Sequence, residues 1–381
     1  MTRILYIIII VSFLDTFIQL PIITPYALEL GASHMLAGAI VAVYSLTNMV
    51  GNIFGGHWID RYGRKRMLFT GMLFAGIILL FYPLAQTGWQ LFIIRFFHGL
   101  AGGILIPAAF AFVGDQSKKG SRGKAMALTG ACIGTAAIVG PAVGGIMAAR
   151  AKADYVFILV AVLFFISLLL IYFFVEESFK STEKGKFSFS EFVPLLKHPL
   201  VLQASFAAFA IMISNGTLAF ALPLKVEEMG LTSSTTGMLL STYGIVALIV
   251  FLTPLNRIFD KYSPVSLVVI GIMIIGFVHI MLNITAVYSL TIGLMVIYGI
   301  GFAFVFPSMN RIVTEASTKV DRGKAYGIFY AFFSLGAVLG SFFSGATSDA
   351  LGLPFLSSAI TMIAVSILIY FIAKKYNPNK S

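Results

Sequence analysis

Charge is what this sequence has least of. Only 11% of its 381 residues are Asp, Glu, Lys or Arg, and 59% are hydrophobic, where a soluble domain carries roughly 25% charged residues. A mean hydropathy of +0.96 leaves no polar surface for a soluble fold, so the chain reads as a polytopic, all-α membrane protein. Cysteine is nearly absent: the single Cys132 excludes a disulfide framework and, inside an apolar run, reads as a small packing residue. There is no metal-spaced His/Cys set, no glycine-rich nucleotide loop and no nucleophile triad, so neither enzymatic activity nor a metal or other cofactor is expected. Acids are scarcer than bases, 15 against 26, for a net charge of +11. In so apolar a chain that excess points to basic loops beside a membrane rather than to nucleic acid.

What is present is a series of long apolar runs. A spanning helix needs about 20 mostly apolar residues, and twelve such runs cover 4–27, 35–58, 67–85, 89–113, 122–148, 153–175, 200–222, 232–255, 265–285, 287–312, 322–348 and 352–373. They lack the alternation that membrane β-strands require. The first run, broken only by Asp15 and Gln19, is too long for a signal core and has no clear small-x-small site after it, so it is read as the first span. With the N-terminus inside, 22 of the 26 Lys and Arg fall in the even-numbered loops and the two tails; Arg150, Lys152 and Lys225 fall outside, and Arg95 lies in a helix. This asymmetry predicts both termini in the cytoplasm and a multi-pass protein of the cell (inner or plasma) membrane.

The longest polar segment, 176–199, divides the runs six and six. We therefore expect a six-helix bundle over 1–175, a cytoplasmic linker over 176–199 and a second six-helix bundle over 200–381. The halves repeat at an offset of 200: Ile59-Asp60-Arg61-Tyr62 with Phe259-Asp260-Lys261-Tyr262, His98-Gly99 with Tyr298-Gly299, and Arg122-Gly123-Lys124-Ala125 with Arg322-Gly323-Lys324-Ala325. Two parallel six-helix repeats are a transporter architecture.

The loop after the second run reads Gly55-Gly56-His57-Trp58-Ile59-Asp60-Arg61-Tyr62-Gly63-Arg64-Lys65. It resembles the signature loop between helices 2 and 3 of the major facilitator superfamily, and the resemblance extends over the whole chain. It implies two pseudo-symmetric six-helix bundles, and a cytoplasmic latch holding the outward-open state. Gly56, Asp60, Arg61, Gly63 and Arg64 belong to the latch, with Asp115 as a partner for Arg64 and with Asp260 and Glu315 as the second-half counterparts. The fifth run carries Gly140-Pro141-Ala142-Val143-Gly144-Gly145, which is similar to the antiporter signature of the family, with Ala136 where the leading glycine would stand. The counterpart Gly336 to Gly345 lacks the proline.

Of fifteen acids only Asp15 lies deep in an apolar helix. A carboxylate there is costly unless it faces water, a partner or a proton, so a role in binding a proton or cation is expected. Drug exporters of the superfamily are similar in carrying an acid in the first helix. Arg95, with Gly99 and Gly102, resembles the Arg-x-x-x-Gly motif that the family associates with proton coupling. At 1.5 Å per residue Arg95 lies about 10 Å, and Asp15 about 16 Å, from the outer ends of their runs. The pair can therefore meet or compete for one proton. Gln19, Tyr44, Asn48, Asn215, Tyr243, Tyr298 and Phe302 are expected to line a substrate cavity. His98 is placed with them, since a lone histidine reads first as a packed polar residue.

These readings lead to a monomeric exporter of small amphipathic compounds driven by proton entry, similar to the twelve-helix drug:proton antiporters, with a proton-coupled symporter for a sugar, amino acid or other metabolite as the alternative. The partners implied are a small-molecule substrate, protons and the lipid bilayer. Changing Asp60 to Ala is expected to reduce transport while membrane insertion and expression stay intact; transport at the unaltered rate would remove the latch.

Overall fold

In the computed structural model described here, residues 2–116, 122–177, 193–316 and 322–376 are described. Nearly all of these residues are helical, as a chain in lipid requires, because only a helix or closed barrel satisfies its backbone groups there. The elements are α1 Thr2–Ile18, α2 Ile23–Glu29, α3 His34–Tyr62, α4 Arg64–Leu79, α5 Gly88–Gln116, α6 Arg122–Arg150, α7 Ala153–Phe174, the short α8 Val193–Leu196, α9 Pro199–Glu228, α10 Ser233–Leu252, the short α11 Ile258–Lys261, α12 Pro264–Ile284, α13 Tyr288–Glu315, α14 Arg322–Leu351 and α15 Leu356–Tyr376. Among the described residues eleven helices are long and apolar enough to cross a membrane, and α1 with α2 makes twelve as one broken span.

That break corrects the first run, which the sequence reads as one continuous helix over 4–27. The two segments meet at 48°. Pro21 lies between them; it has no N–H for the carbonyl four residues back and its ring crowds that carbonyl. The carbonyl of Gln19 accepts the amides of Ile22 and Ile23 as the chain restarts. Gln19 therefore sits at the edge of a discontinuous span, four residues beyond Asp15.

Helix ends follow local chemistry. Ser33 accepts the amide of Leu36 to start α3, and Ser263 accepts that of Ser266 to start α12. Gly31 and Gly230 have left-handed backbones (φ +76° and +72°) in corresponding turns, after the first span of each half.

Two compact units are resolved by backbone packing: Met1–Lys184 with Gly230–Ser241, and Gly185–Met229 with Thr242–Ser381. Residues 230–241 join the first unit through α6. A Cβ on Gly145 would strike the carbonyl of Ser233, one on Gly237 would strike that of Pro141, and the Ser241 hydroxyl donates to Ile138 O at 2.6 Å.

Each half repeats the same contacts. In the first, α5 lies against α3 where a Cβ on Gly99 would meet the Tyr44 carbonyl; in the second, α13 lies against α10 where one on Gly299 would meet the Tyr243 carbonyl. Likewise α6 rests on α1 at Gly140 and α14 on α9 at Gly340, a position whose Cβ would fall on the backbone of Ile213. Gly340→Ala should therefore destabilise the protein by about 1–3 kcal/mol through overpacking. Gly293→Ala, in open space, should be neutral or slightly stabilising, by about 1 kcal/mol at most from helix propensity. Thermal unfolding of the two purified variants in one detergent checks the difference.

Candidate functional site

The site forms where α1, α3 and α5 meet the turn after α4. Asp15 projects from α1 and is 1% exposed. Four residues on, at the Pro21 break, Gln19 turns its amide back and donates Nε2–H to Asp15 Oδ1 at 2.7 Å. Arg95 enters from α5, 6% exposed, and donates Nη1–H to Gln19 Oε1 at 2.8 Å. Asp15 and Arg95 are thus joined through Gln19, not directly. The guanidinium does not reach for the surface: it lies 4.4 Å from the centre of the Tyr44 ring, a cation–π contact, with Nε 3.4 Å from Ile40 O.

A second branch leaves the same guanidinium. Arg95 Nη1 lies 3.5 Å from the Tyr82 hydroxyl, and that hydroxyl lies 2.9 Å from His98 Nδ1. His98 Nε2 is 3.2 Å from Asp15 Oδ2, off the in-line hydrogen-bond direction. Tyr44 donates to the same oxygen at 3.4 Å and has Thr16 Oγ1 3.3 Å away. His98, wholly buried, is therefore part of the charged constellation and not simply a packed polar residue. Tyr82, also wholly buried, was not marked by the sequence at all; it stacks on Phe157 of α7, and its carbonyl accepts the Tyr26 hydroxyl at 2.8 Å. The one signal available is a hydroxyl-bearing ring within the last turn of the third apolar run.

The glycines of the fifth run support this site. A Cβ on Gly140 would come within 2.9 Å of Phe17 Cβ, and one on Gly144 would collide with the Ile18 carbonyl. Phe17 and Ile18 form the turn between Asp15 and Gln19, so α6 supports the stretch of backbone that carries both side chains. Pro141 lies within α6.

The second half holds a counterpart without charge. In the register that pairs Tyr44 with Tyr243, Ser214 stands at the position of Asp15 and Asn215 at that of Thr16, and Met295 stands at that of Arg95. Tyr243 donates to Asn215 Oδ1 at 3.4 Å, matching Tyr44 beside Thr16. Tyr298, at the position of His98, is wholly buried and lies 2.8 Å from Ser214 Oγ. His279 of α12 joins them, with Nε2 3.2 Å from Ser214 Oγ and Nδ1 2.8 Å from Ser358 Oγ. Sequence reading missed this histidine because it lies in an apolar run with no acid near it. Tyr243 packs on Phe302, which stacks on Phe306 at 5.5 Å. In the first half Asn48 accepts Asn52 Nδ2 at 2.9 Å on α3.

At the signature loop the side chains of Gly56, Asp60, Arg61 and Asp115 lie outside the described residues. Gly63 has φ +101° and ends α3. Glu177, just beyond α7, accepts the Arg64 amide at 2.8 Å and the Lys65 amide at 3.1 Å, so it caps α4. A side chain on Gly63 would occupy the space of the Glu177 carboxylate. Arg64 Nη1 donates to Ile59 O at 3.1 Å. In the echo loop Asp260 is exposed, and Glu315 pairs with Arg311 one turn earlier at 2.6 Å. Arg311 also donates to Phe259 O at 2.9 Å.

Two buried glutamines make the energetic weight of the ring measurable. Gln19→Leu removes an amide that satisfies both Asp15 and Arg95, and should destabilise by about 3 kcal/mol or more, since each stranded charged group costs at least about 1–3 kcal/mol. Gln203 has an Oε1 with no partner, so Gln203→Leu should be neutral or stabilising. Denaturation of the two variants side by side checks the opposite signs.

With this geometry in place the chain can be compared with known proteins. The multidrug resistance protein MdtG of Salmonella arizonae is 28% identical over 344 residues, 87% of this chain and 85% of its own length. MdtG of Salmonella schwarzengrund matches to the same extent. In fold, the chain superposes on an inward-facing, occupied bacterial homologue of the human lysosomal transporter Spinster with a TM-score of 0.82 at 14% identity, over 100% of this chain and 97% of the other. A POT family transporter in complex with 5-aminolevulinic acid gives 0.78 at 14% identity, over 99% and 96%. The model of the Major Facilitator Superfamily matches residues 5–213 and 204–381. The chain, with twelve spans in two repeated halves, belongs to that superfamily and is a multi-pass membrane transporter.

Proposed function

We propose that this transporter exports small amphipathic compounds in exchange for protons, by alternating access of the two halves, and that Asp15 carries the coupling proton. The observation that carries the reading is the position of Asp15. It is the deeply placed acid of the apolar runs, it is buried, and it shares a closed polar cluster with Arg95 through Gln19. Retaining an ionisable group at such a cost calls for a use of its charge change. The similarity to the multidrug resistance protein MdtG supports export over uptake.

In this reading both termini lie on the cytoplasmic side of the cell membrane, and the protein works as a monomer of two bundles, 1–175 and 200–381, joined by the segment 176–199. The uncharged side chains Asn48, Asn215, Tyr243 and Phe302 contribute to the substrate's surroundings. The signature loop, with Asp60, Arg61, Gly63, Arg64 and Asp115, and its echo, with Asp260 and Glu315, gate the cytoplasmic side. Glu177 adds a strut that ties the linker's first residues to the same loop.

In inverted membrane vesicles, ethidium transported by the unaltered protein should release protons. Asp15→Asn should abolish that release, and Asp349→Asn, changed near the opposite end of α14, should retain it. Equal behaviour of the two variants would defeat the assignment, and proton movement in the same direction as substrate would make the protein a symporter.

A further inference from the structure

The ring of hydrogen bonds has a direction, and the direction follows from composition. Arginine has donors and no acceptor. The Gln19 atom at 2.8 Å from Arg95 is therefore the carbonyl oxygen, which leaves Gln19 Nε2 to donate to Asp15 Oδ1. The Tyr82 oxygen accepts from Arg95, and the Asp15 carboxylate 3.2 Å from His98 Nε2 favours a proton on that nitrogen, which leaves Nδ1 to accept the Tyr82 hydrogen. A histidine accepting at Nδ1 carries its proton on Nε2, the atom 3.2 Å from Asp15 Oδ2. Both branches run from Arg95 toward Asp15, the second ending on the 3.2 Å approach of His98 Nε2 to Oδ2 rather than on a hydrogen bond. The ring as found holds Asp15 as a carboxylate that only accepts.

A proton on Asp15 turns one carboxyl oxygen into a donor. Oδ1 is closed to it: the facing Gln19 amide would have to turn over and set its NH₂ against the guanidinium. Oδ2 is open, because an imidazole can exchange which nitrogen is protonated.

We propose that Asp15 is loaded on Oδ2 and that His98 changes tautomer with each loading. The proton on His98 Nε2 passes to Asp15 Oδ2, the Tyr82 hydroxyl proton passes to His98 Nδ1, and the Tyr82 oxygen regains one proton from a hydronium ion in the water reaching the opened site, which leaves as neutral water. One proton is gained, no electron moves, and His98 ends neutral with Nε2 accepting from Asp15. This rests on the reading of Asp15 as the proton carrier and adds a positioning residue, His98, with Tyr82 setting its tautomer. The titratable or charged groups around His98 are Asp15 from α1, Tyr44 from α3, Tyr82 from the turn after α4 and Arg95 from its own helix. Across Tyr82, α7 presents Phe157, which does not titrate. The second half supplies the contrast: with Ser214 and Met295 it has neither carboxylate nor guanidinium at these positions, and the hydroxyls around His279 can point either way.

The test is nitrogen NMR of the full chain in lipid nanodiscs with ring-labelled histidine, the His98 signal among five histidines being assigned by its loss in His98→Gln. The signal should report Nε2–H at high pH and Nδ1–H after acidification, and it should stay constant in Asp15→Asn. A His98 tautomer that does not change while Asp15 loads would overturn the proposal and make Tyr44 the acceptor; an imidazolium with both nitrogens protonated would overturn it by leaving the proton on His98. In inverted vesicles His98→Gln keeps a donor toward Asp15 but cannot relay. Ethidium accumulation driven by a pH gradient should fall tenfold or more, within the ~10²–10⁴-fold range of a positioned proton-transfer group, with ethidium self-exchange retained. Gradient-driven accumulation that persists in Asp15→Asn would instead remove Asp15 as carrier, whatever the tautomer does.

Discussion

A guanidinium that can only donate, buried beside a carboxylate that can only accept, is the constraint on which the first half depends. Neither charge can be left alone at that depth without a cost of several kcal/mol. The protein meets this by placing a polar side chain on each route between them, Gln19 on one and Tyr82 with His98 on the other. Much of the local architecture follows. The break at Pro21 puts Gln19 where its amide can turn back, the glycines of α6 let that helix lie against the Asp15–Gln19 turn, and Tyr82 is fixed by stacking on Phe157.

The second half shows the same scaffold without that constraint. Helix contacts are kept at Gly299 and Gly340, and a tyrosine of α10 still touches a polar side chain of α9. What differs is chemical: a hydroxyl, a thioether and a phenol stand where the first half has a carboxylate, a guanidinium and an imidazole. In the proposed exchange, duplicated geometry with charge in one copy divides the labour between an ion-handling half and a neutral half.

The spans were legible in the sequence because a bilayer imposes length and apolarity on each of them. The bend inside the first was not, since Leu20-Pro21-Ile22 is as apolar as the helix around it and hydropathy averages over it. Asp15 was legible by its cost, and Arg95 for the same reason. That they communicate through Gln19 was not, because separations along two helices fix depth but not which side chain lies between. His98 and Tyr82 come from different runs and acquire meaning only when a tertiary contact brings them together. Glu177 was visible as an acid after the sixth run, but its partners are backbone amides 112 and 113 residues away, a pairing that leaves no mark in side-chain pattern.

The interruption after Ile18 has one more consequence. The Gln19 amide is the last link before the backbone changes direction, so the angle between α1 and α2 and the closure of the polar ring are two readings of a single mechanical coordinate. A hydrogen bond tolerates a few tenths of an ångström of stretch before it weakens, so this joint acts as a strain gauge. A rearrangement that changes the angle between α1 and α2 would move the Gln19 amide relative to the Asp15 carboxyl group that it contacts at 2.7 Å.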